Sequence, residues 1–168
     1  MKNLKTLLLI AVFTLGIGGA VNAQKVAHID FQKLITEMPV YKSMTAEIEK
    51  LSKTYKNDID EMAKTLEAKI KKYEAEQGTQ TDITNKTRAQ EVQQDRLRIQ
   101  QYEQTAYQEL QEKQNKQLNP IIEKAQKAIQ EVATAKGFEY VLDATQGKTL
   151  LVAKGTDLYS AVKTKLGF

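Results

Sequence analysis

The sequence contains no cysteine and no tryptophan, and it has one histidine and two prolines. Without cysteine the chain has no disulfide, and it lacks the thiolates that hold many structural zinc ions. The single histidine, His28, falls within a strand-like segment, so we interpret it as a structural residue. These absences disfavour thiol chemistry and a zinc site, and we predict that the protein binds no metal.

Signs of catalysis or nucleotide binding are also missing. The run Gly147-Lys148-Thr149 lacks the upstream glycine of a phosphate-binding loop, so it is interpreted as a turn. The acidic cluster at Asp58 and Asp60 lies in a long helical pattern, where such a cluster is usually a solvated face. No nucleophile is paired with a base. The sequence therefore predicts a protein that is not an enzyme and that needs no cofactor.

The first 23 residues have the pattern of a signal peptide. Lys2 and Lys5 precede an apolar run over residues 7–17, and Val21-Asn22-Ala23 places small or tolerated residues before a cleavage point. A membrane anchor is the alternative, but the run is short for a span of about 20 residues and is broken by glycines. We expect cleavage after Ala23 and export of residues 24–168 to the periplasm.

The exported part is nearly neutral and has little sequence outside its helical region. Without Lys2 and Lys5 it carries 23 basic and 21 acidic residues, a net charge of +2, so no nucleic-acid partner is expected. The length fits one domain. The strand-like segments and the last helix supply few core residues, and a small core is marginal alone. We therefore expect the chain to form an oligomer.

A long helix is predicted from about residue 40 to about residue 77. Its apolar residues are spaced by four, three and four positions, and each triplet recurs 11 residues later. Such a repeat keeps one stripe on one side of a helix. The stripe consists of Met44, Ile48, Leu51, Tyr55, Ile59, Met62, Leu66, Ile70 and Tyr73. Residues 78–82 then predict a turn.

A second helix is expected to return along the first one, beginning near Thr84 or Thr87. Ten glutamines lie between residues 90 and 117, and the apolar stripe is thinner. We therefore expect a loosely packed hairpin; low-complexity disorder is the alternative, which the remaining stripe disfavours. Pro120 should kink or restart the helix, with Asn119 as the new cap. The thinner stripe consists of Ala89, Val92, Ile99, Tyr102, Ala106 and Leu110.

Both ends of the exported chain predict a small body with strands. Residues 26–29 predict a strand, and Asp30 a cap for a short helix over 31–37. Gly137 should stop the returning helix. Successive apolar residues over 140–142 indicate a strand that is buried on both faces. A turn at 146–148 should lead into a further strand over 150–153, and Thr156 should cap a last helix over 157–166.

Basic residues gather toward the turn of the predicted hairpin. Acidic residues are interspersed, so residues 64–98 have a net charge of +2. A solvated coiled-coil face is one interpretation of this group. A contact surface for an anionic lipid membrane or an acidic partner is the other. The group consists of Lys64, Lys69, Lys71, Lys72, Lys86, Arg88, Arg96 and Arg98.

Both ends of the exported chain resemble the Skp (OmpH-like) periplasmic chaperone family. The resemblance lies in the opening run over residues 25–30, in Pro39 before the long helix, and in the segments 129–133, 136–138 and 140–143. Asp157-Leu158 at the start of the last helix completes it, although the following Tyr159 departs from the Asp-Ile-Thr common in the family. The resemblance covers the whole exported chain, but the helical arm matches in length and composition only.

The resemblance implies an α+β fold, with a trimeric, β-barrel-like body from which each subunit extends a coiled-coil hairpin arm. We expect residues 24–40 and 119–168 to form the body, and residues 41–118 the arm, with its tip near 78–84. Family members hold unfolded outer-membrane proteins without ATP. The residues expected in the trimer body are Val26, Ile29, Tyr140, Val141, Leu142, Leu150 and Val152.

The resemblance also implies that the arm contacts the unfolded client. Known members have strongly basic arms, whereas this arm carries 14 basic and 14 acidic residues over 42–118. We therefore expect apolar contacts to matter more than charge. A non-catalytic coiled-coil adaptor of the cell envelope is the alternative function. The candidates for client contact are Met44, Ile59, Met62, Leu66, Ile70, Tyr73, Ile99 and Tyr102.

Overall fold

The computed structural model describes residues 25–148 and 150–168, and the predicted signal peptide lies outside them. Two long helices form a hairpin, and a small sheet with two short helices lies at its open end. The predicted α+β class is confirmed. The elements are β1 (Val26–Ile29), α1 (Phe31–Glu37), α2 (Pro39–Glu76), a 3₁₀ turn (Gln77–Thr79), α3 (Asp82–Ala135), β2 (Tyr140–Asp143), β3 (Thr156–Asp157) and α4 (Tyr159–Leu166).

The hairpin consists of α2, with 38 residues, and α3, with 54 residues. At 1.5 Å per residue, α2 is about 57 Å long. Helix α3 begins at Asp82, earlier than the predicted start near Thr84 or Thr87. The reason is Thr81, whose Oγ1 accepts a hydrogen bond from the backbone N–H of Thr84 at 3.2 Å and so caps the helix.

Helix α3 continues through Pro120, so the predicted restart with a cap at Asn119 is wrong. The predicted kink at this proline stays a prediction. A proline removes one backbone donor from a helix, but packing on both sides can hold the helix together. Here Ile121 and Ala125 are buried directly after the proline. The predicted stop at Gly137 is confirmed: its φ is 72°, a left-handed conformation that favours glycine.

The sheet has the order β2-β1-β3, and both pairs of strands are parallel. The predicted strand over 150–153 is wrong, because residues 150–153 lie outside any strand. Lys148 N–H donates to the carbonyl of Thr145 to close a turn, but residues 150–153 form no ladder with β2. The third strand is Thr156–Asp157, and it pairs with Ala27 and His28 of β1.

The cap of the last helix also differs from the prediction. Helix α4 begins at Tyr159, and Thr156 belongs to β3. The cap position is Leu158, whose side chain makes no capping hydrogen bond. The carboxylate of Asp157 accepts the backbone N–H of Tyr159 at 2.8 Å, so one free N–H at this end of the helix is satisfied. Gly167, with a φ of 85°, follows the helix.

Three side chains cap α1, and they come from two distant parts of the chain. Asp30 accepts the N–H of Lys33 at 2.8 Å, as the sequence predicts. Asp143 accepts the N–H of Phe31 at 3.3 Å, and Thr145 accepts that of Gln32 at 3.2 Å. The first free N–H groups of the helix are thus satisfied. This arrangement fastens the end of β2 to the junction between β1 and α1.

The hydrophobic core lies at the open end of the hairpin, between the sheet and the helices. The largest fully buried side chains are Leu34, Met38, Leu158 and Val162. Across residues 45–120, by contrast, only Ala106 is buried. We call residues 41–118 the arm and the remaining described residues the body. Among the helices of the described residues, none is long and apolar enough to cross a membrane.

Candidate functional surfaces

One face of the sheet packs on the helices, and the opposite face is bare and apolar. On the packed face, Ala27 is 1% exposed and Ile29 is 2% exposed. On the bare face, Val26 pairs with Tyr140, and His28 pairs with Leu142. Tyr140 is 52% exposed and Leu142 is 41% exposed. The prediction that β2 is buried on both faces is therefore wrong for the single chain, which supplies cover for one face only.

The structure divides the residues expected in the trimer body into two groups. Ile29 and Val141 face the core of their own chain, and Val141 packs against the buried cluster. The others are more open: Leu150 is half-buried, and Val152 is 70% exposed beside a fully exposed Leu151. A substitution at Val141 would therefore disturb the fold of the body, whereas Leu142 offers a cleaner test of assembly.

All eight candidates for client contact lie on the stripe of buried and half-buried residues along α2 and α3, the two limbs of the arm. Met44 is buried, and the other seven are half-buried. Tyr55 and Tyr102 pack edge to face with ring centroids 6.0 Å apart, so this stripe holds the two limbs together. The predicted residues therefore form the seam of the hairpin, which is the line of contact between its two limbs.

Polar contacts cross the seam at several points along its length. Three tyrosines donate to carboxylates on the opposite limb: Tyr55 to Glu109, Tyr102 to Asp58 at 2.8 Å, and Tyr73 to Glu91 at 2.6 Å. The acceptor Glu109 raises the pKa of Tyr55 to about 12, and the pKa values of Tyr73 and Tyr102 are raised for the same reason. These hydroxyls therefore keep their protons, and continue to donate, to a higher pH than an ordinary tyrosine does.

Ion pairs complete this ladder of polar contacts. Lys69 contacts Asp95, and Lys113 contacts Glu47 at 2.8 Å. The ammonium of Lys69 holds the pKa of Asp95 below its usual range, and Lys113 does the same for Glu47. Because the arm has almost no dry core, the hairpin depends on half-buried apolar groups and on these polar contacts together.

The ladder ends near the tip with Arg88. Its guanidinium donates to Glu76 at 2.6 Å and lies over the ring of Tyr73, 4.4 Å from the centroid. This position combines an ion pair with a cation–π contact. A shallow groove of about 370 Å³ between the limbs is lined by Tyr73, Arg88 and Val92.

The structure pairs half of the basic residues near the tip with carboxylates. Lys69 and Arg88 bind the opposite limb, while Lys71 contacts Glu67 and Arg98 contacts Asp95. The others form no ion pair with the described residues. These are Lys64, Lys72, Lys86 and Arg96. The group is therefore in part a structural element of the seam and not one continuous basic surface.

A larger groove lies between the limbs where the arm meets the body. It has a volume of about 1180 Å³ and is lined on its apolar side by Val40, Met44, Leu51 and Pro120. Glu47 and Lys113, which are paired with each other, lie at the same groove. Among the described residues there is no group of three metal-ligating side chains.

Sequence reasoning missed the polar partners in the seam. Glu91, Glu109 and Asp58 look like ordinary solvated acids in a charged helix, and nothing in their local sequence marks them as acceptors. The available signal was the presence of tyrosines within the apolar stripe, because a partly buried hydroxyl needs a hydrogen-bond partner. Antiparallel folding about the turn then places carboxylates opposite them.

Comparison with known proteins identifies the family. The family described as outer membrane protein (OmpH-like) matches residues 25–166. A comparison with curated proteins gives no match. A solved structure of a proposed outer membrane chaperone (OmpH-like) from Caulobacter crescentus CB15 has a TM-score of 0.74 at 18% identity, over 84% of this chain and 83% of that chain. At this identity the likeness shows the fold. Since the family match spans nearly all described residues, the chain belongs to the OmpH-like family.

Proposed function

We propose that this protein is an ATP-independent periplasmic holdase, which binds unfolded outer-membrane proteins and prevents their aggregation on the way to the outer membrane. Membership of the OmpH-like family supports this role. The observation that carries it is the arm, two long helical limbs in which residues 45–120 include one buried side chain. Such a limb pair offers a long, open surface for weak and distributed contacts, which a client can leave without an energy source.

We further propose that the functional form is a homotrimer joined through the body. Parallel sheets are normally covered on both faces, and this sheet has cover on one. Val26, Tyr140 and Leu142 form the open face, and together they would be costly to leave in water. Leu151 and Val152 are also exposed and add further apolar surface for a neighbouring subunit. The trimer number comes from the family resemblance.

Weak contact with an anionic membrane surface is a lesser part of the proposal. The four basic residues near the tip that form no ion pair with described residues are the ones that could supply it. The arm as a whole carries equal numbers of basic and acidic residues, so long-range attraction should be small. Vesicles with and without anionic lipid would measure this contact directly.

The test is suppression of aggregation. An outer-membrane β-barrel protein unfolded in urea is diluted into buffer with or without the full-length exported chain, and light scattering is followed. We expect the protein to suppress scattering, with no change on addition of ATP or EDTA. Scattering that continues unchanged would overturn the holdase function and favour the envelope adaptor, whereas activity lost in EDTA would indicate a metal site.

A further inference from the structure

The outward face of α3 differs from the rest of the arm in having almost no charge. Successive residues of a helix are rotated by about 100°, so a residue two positions from the seam points away from it. The seam of α3 includes Val92, Ile99, Tyr102 and Ala106, which are buried or half-buried. Two positions further on, glutamines occupy the opposite face. They are Gln90, Gln94, Gln101, Gln104, Gln108 and Gln111, and all six are exposed.

These glutamines keep one regular spacing of four and three residues along the helix. Leu97 and Asn115 occupy the two other positions with this spacing. All eight positions at this spacing between residues 90 and 115 are therefore uncharged. We call this set of eight residues the amide stripe. It spans about 38 Å of helix at 1.5 Å per residue. In an arm with 28 charged residues over 42–118, a face of this length without charge requires an explanation.

The exposed large apolar residues of the arm lie on or beside the same face. Leu97 belongs to the stripe and is 47% exposed, and Ile83, 81% exposed, continues its spacing beyond Thr87 toward the tip. Tyr107 is 65% exposed and lies beside the stripe. A depression of about 500 Å³ here is lined by Tyr107 and three stripe residues, and Glu109 and Glu112 lie at the same depression. No residue of α2 within the arm is among the exposed large apolar residues.

The outgoing limb presents a contrasting surface. On α2 the residues two positions from the seam include Lys50, Lys53, Lys64 and Lys72, and all four are exposed. This is the charged, solvated face that a long surface helix normally has. The amide stripe therefore does not follow from the general composition of the arm, because the neighbouring helix places charge at five of the nine equivalent positions.

We propose that the amide stripe is the surface on which the arm holds its client, and that its occupant is an extended segment of an unfolded polypeptide. This assignment rests on the proposed holdase function. A glutamine side chain offers two donors and an acceptor, which suit the unpaired N–H and C=O groups of an extended backbone. Leu97, Tyr107 and Ile83 then contact apolar side chains of the same segment.

The lack of charge on the amide stripe favours this occupant. Contact with a charged face would require desolvation of lysines or glutamates, which is costly unless each one finds a partner. An uncharged face avoids this cost for any client, whatever its charge, and an extended strand of an outer-membrane protein is itself largely uncharged on its lipid-facing side. The stripe thus fits a partner that is recognised by its backbone and its apolar groups.

The test compares two triple variants with the same change in charge. Gln94→Glu, Gln101→Glu and Gln108→Glu place charges on the amide stripe, and glutamate has nearly the same shape and helix propensity as glutamine. The control variant is Ala46→Glu, Asn57→Glu and Ala68→Glu on the outward face of α2, where all three residues are exposed. Affinity for an outer-membrane β-barrel protein diluted from urea is measured for both variants and for the wild type.

We expect the stripe variant to lose about tenfold or more in client affinity, because each carboxylate must be desolvated on contact. The control variant should change by less than about twofold. Equal losses in both variants would mean that net charge matters and would overturn the assignment, as would a stripe variant that binds like the wild type. A wild-type protein that binds no client would instead overturn the holdase function on which the assignment rests.

A second measurement does not require that the triple variants fold. The chain has no cysteine, so Gln104→Cys and Lys53→Cys each provide a single site for an environment-sensitive fluorophore. We expect a blue shift on addition of client at position 104 and little change at position 53. A blue shift at position 53 with little change at position 104 would overturn the assignment. A shift at position 104 that appears without client and depends on protein concentration would also overturn it, because it would indicate contact between arms.

Discussion

The body and the arm of this protein are stabilised in different ways, although one pair of helices runs through both. In the body, Leu34, Leu158 and Val162 are completely buried in one cluster. In the arm the seam is half-buried, and tyrosine–carboxylate contacts and ion pairs link its limbs. The difference shows how a small domain can combine a well-packed body with helical limbs that keep most of their surface exposed to solvent.

The largest expected effect is the loss of a core side chain in the body. Leu158→Ala should reduce the free energy of unfolding by roughly 2–5 kcal/mol, because the residue is fully buried and leaves a cavity. The matched substitution Leu97→Ala in the arm should change it by about 0.5 kcal/mol or less. Denaturant unfolding monitored by circular dichroism measures both, and similar losses at the two positions would remove the distinction between body and arm.

The next effect concerns assembly. Leu142→Asp places a charge on the bare face of the sheet, and burying an unpaired charge against another subunit is very costly. We expect sedimentation equilibrium to give about three times the chain mass for the wild type and the mass of one chain for this variant. The exposed arm substitution Gln104→Asp is the control and should remain trimeric. A wild-type monomer would contradict the role assigned to the sheet face.

A smaller effect is expected for the polar ladder. Tyr73→Phe removes the hydroxyl that donates to Glu91 at 2.6 Å but keeps the ring under Arg88. Backbone amides on both sides of the tip should exchange hydrogen a few fold faster, while amides of the body are unchanged. Tyr107→Phe, at an exposed position outside the seam, should leave exchange at the tip as in the wild type. Faster exchange in the body as well would mean that the two regions open together.

The smallest expected effect is that of salt on client binding. Exposed ion pairs contribute about 0–1 kcal/mol and are screened by salt, whereas the amide stripe carries no charge. Client affinity should therefore fall by less than about tenfold between about 50 and 300 mM salt. A steeper fall would show that the unpaired basic residues near the tip, such as Lys64 and Arg96, form the working surface.

The sequence predicts the long elements well because their signals repeat many times. The stripe from Met44 to Tyr73 identifies α2, and Asp30 and Gly137 mark helix ends through local chemistry that needs no tertiary contact. The start of α3 is less well predicted because Thr81, Thr84 and Thr87 can all cap a helix. The course through Pro120 depends on burial of Ile121, which local propensity does not contain.

The sheet and the functional surfaces were harder to predict for a related reason. Residues 150–153 have the composition of a strand, but the edge of β1 is occupied by the polar pair Thr156–Asp157. Side chains that cap α1 from more than 100 positions away, Asp143 and Thr145, leave no local signal. Likewise, an apolar stripe identifies the seam of a hairpin but does not reveal that the outward face of α3 carries the amide groups.

Hydrogen exchange of the full-length exported chain, with and without an unfolded outer-membrane β-barrel protein, tests the division between body and arm most directly. We expect slow exchange throughout α4 and the buried face of β1 in both states, and added protection on client binding that is confined to residues 41–118. Protection that appears instead in β1 or β2, with exchange of the arm unchanged, would show that the body holds the client and would contradict this account.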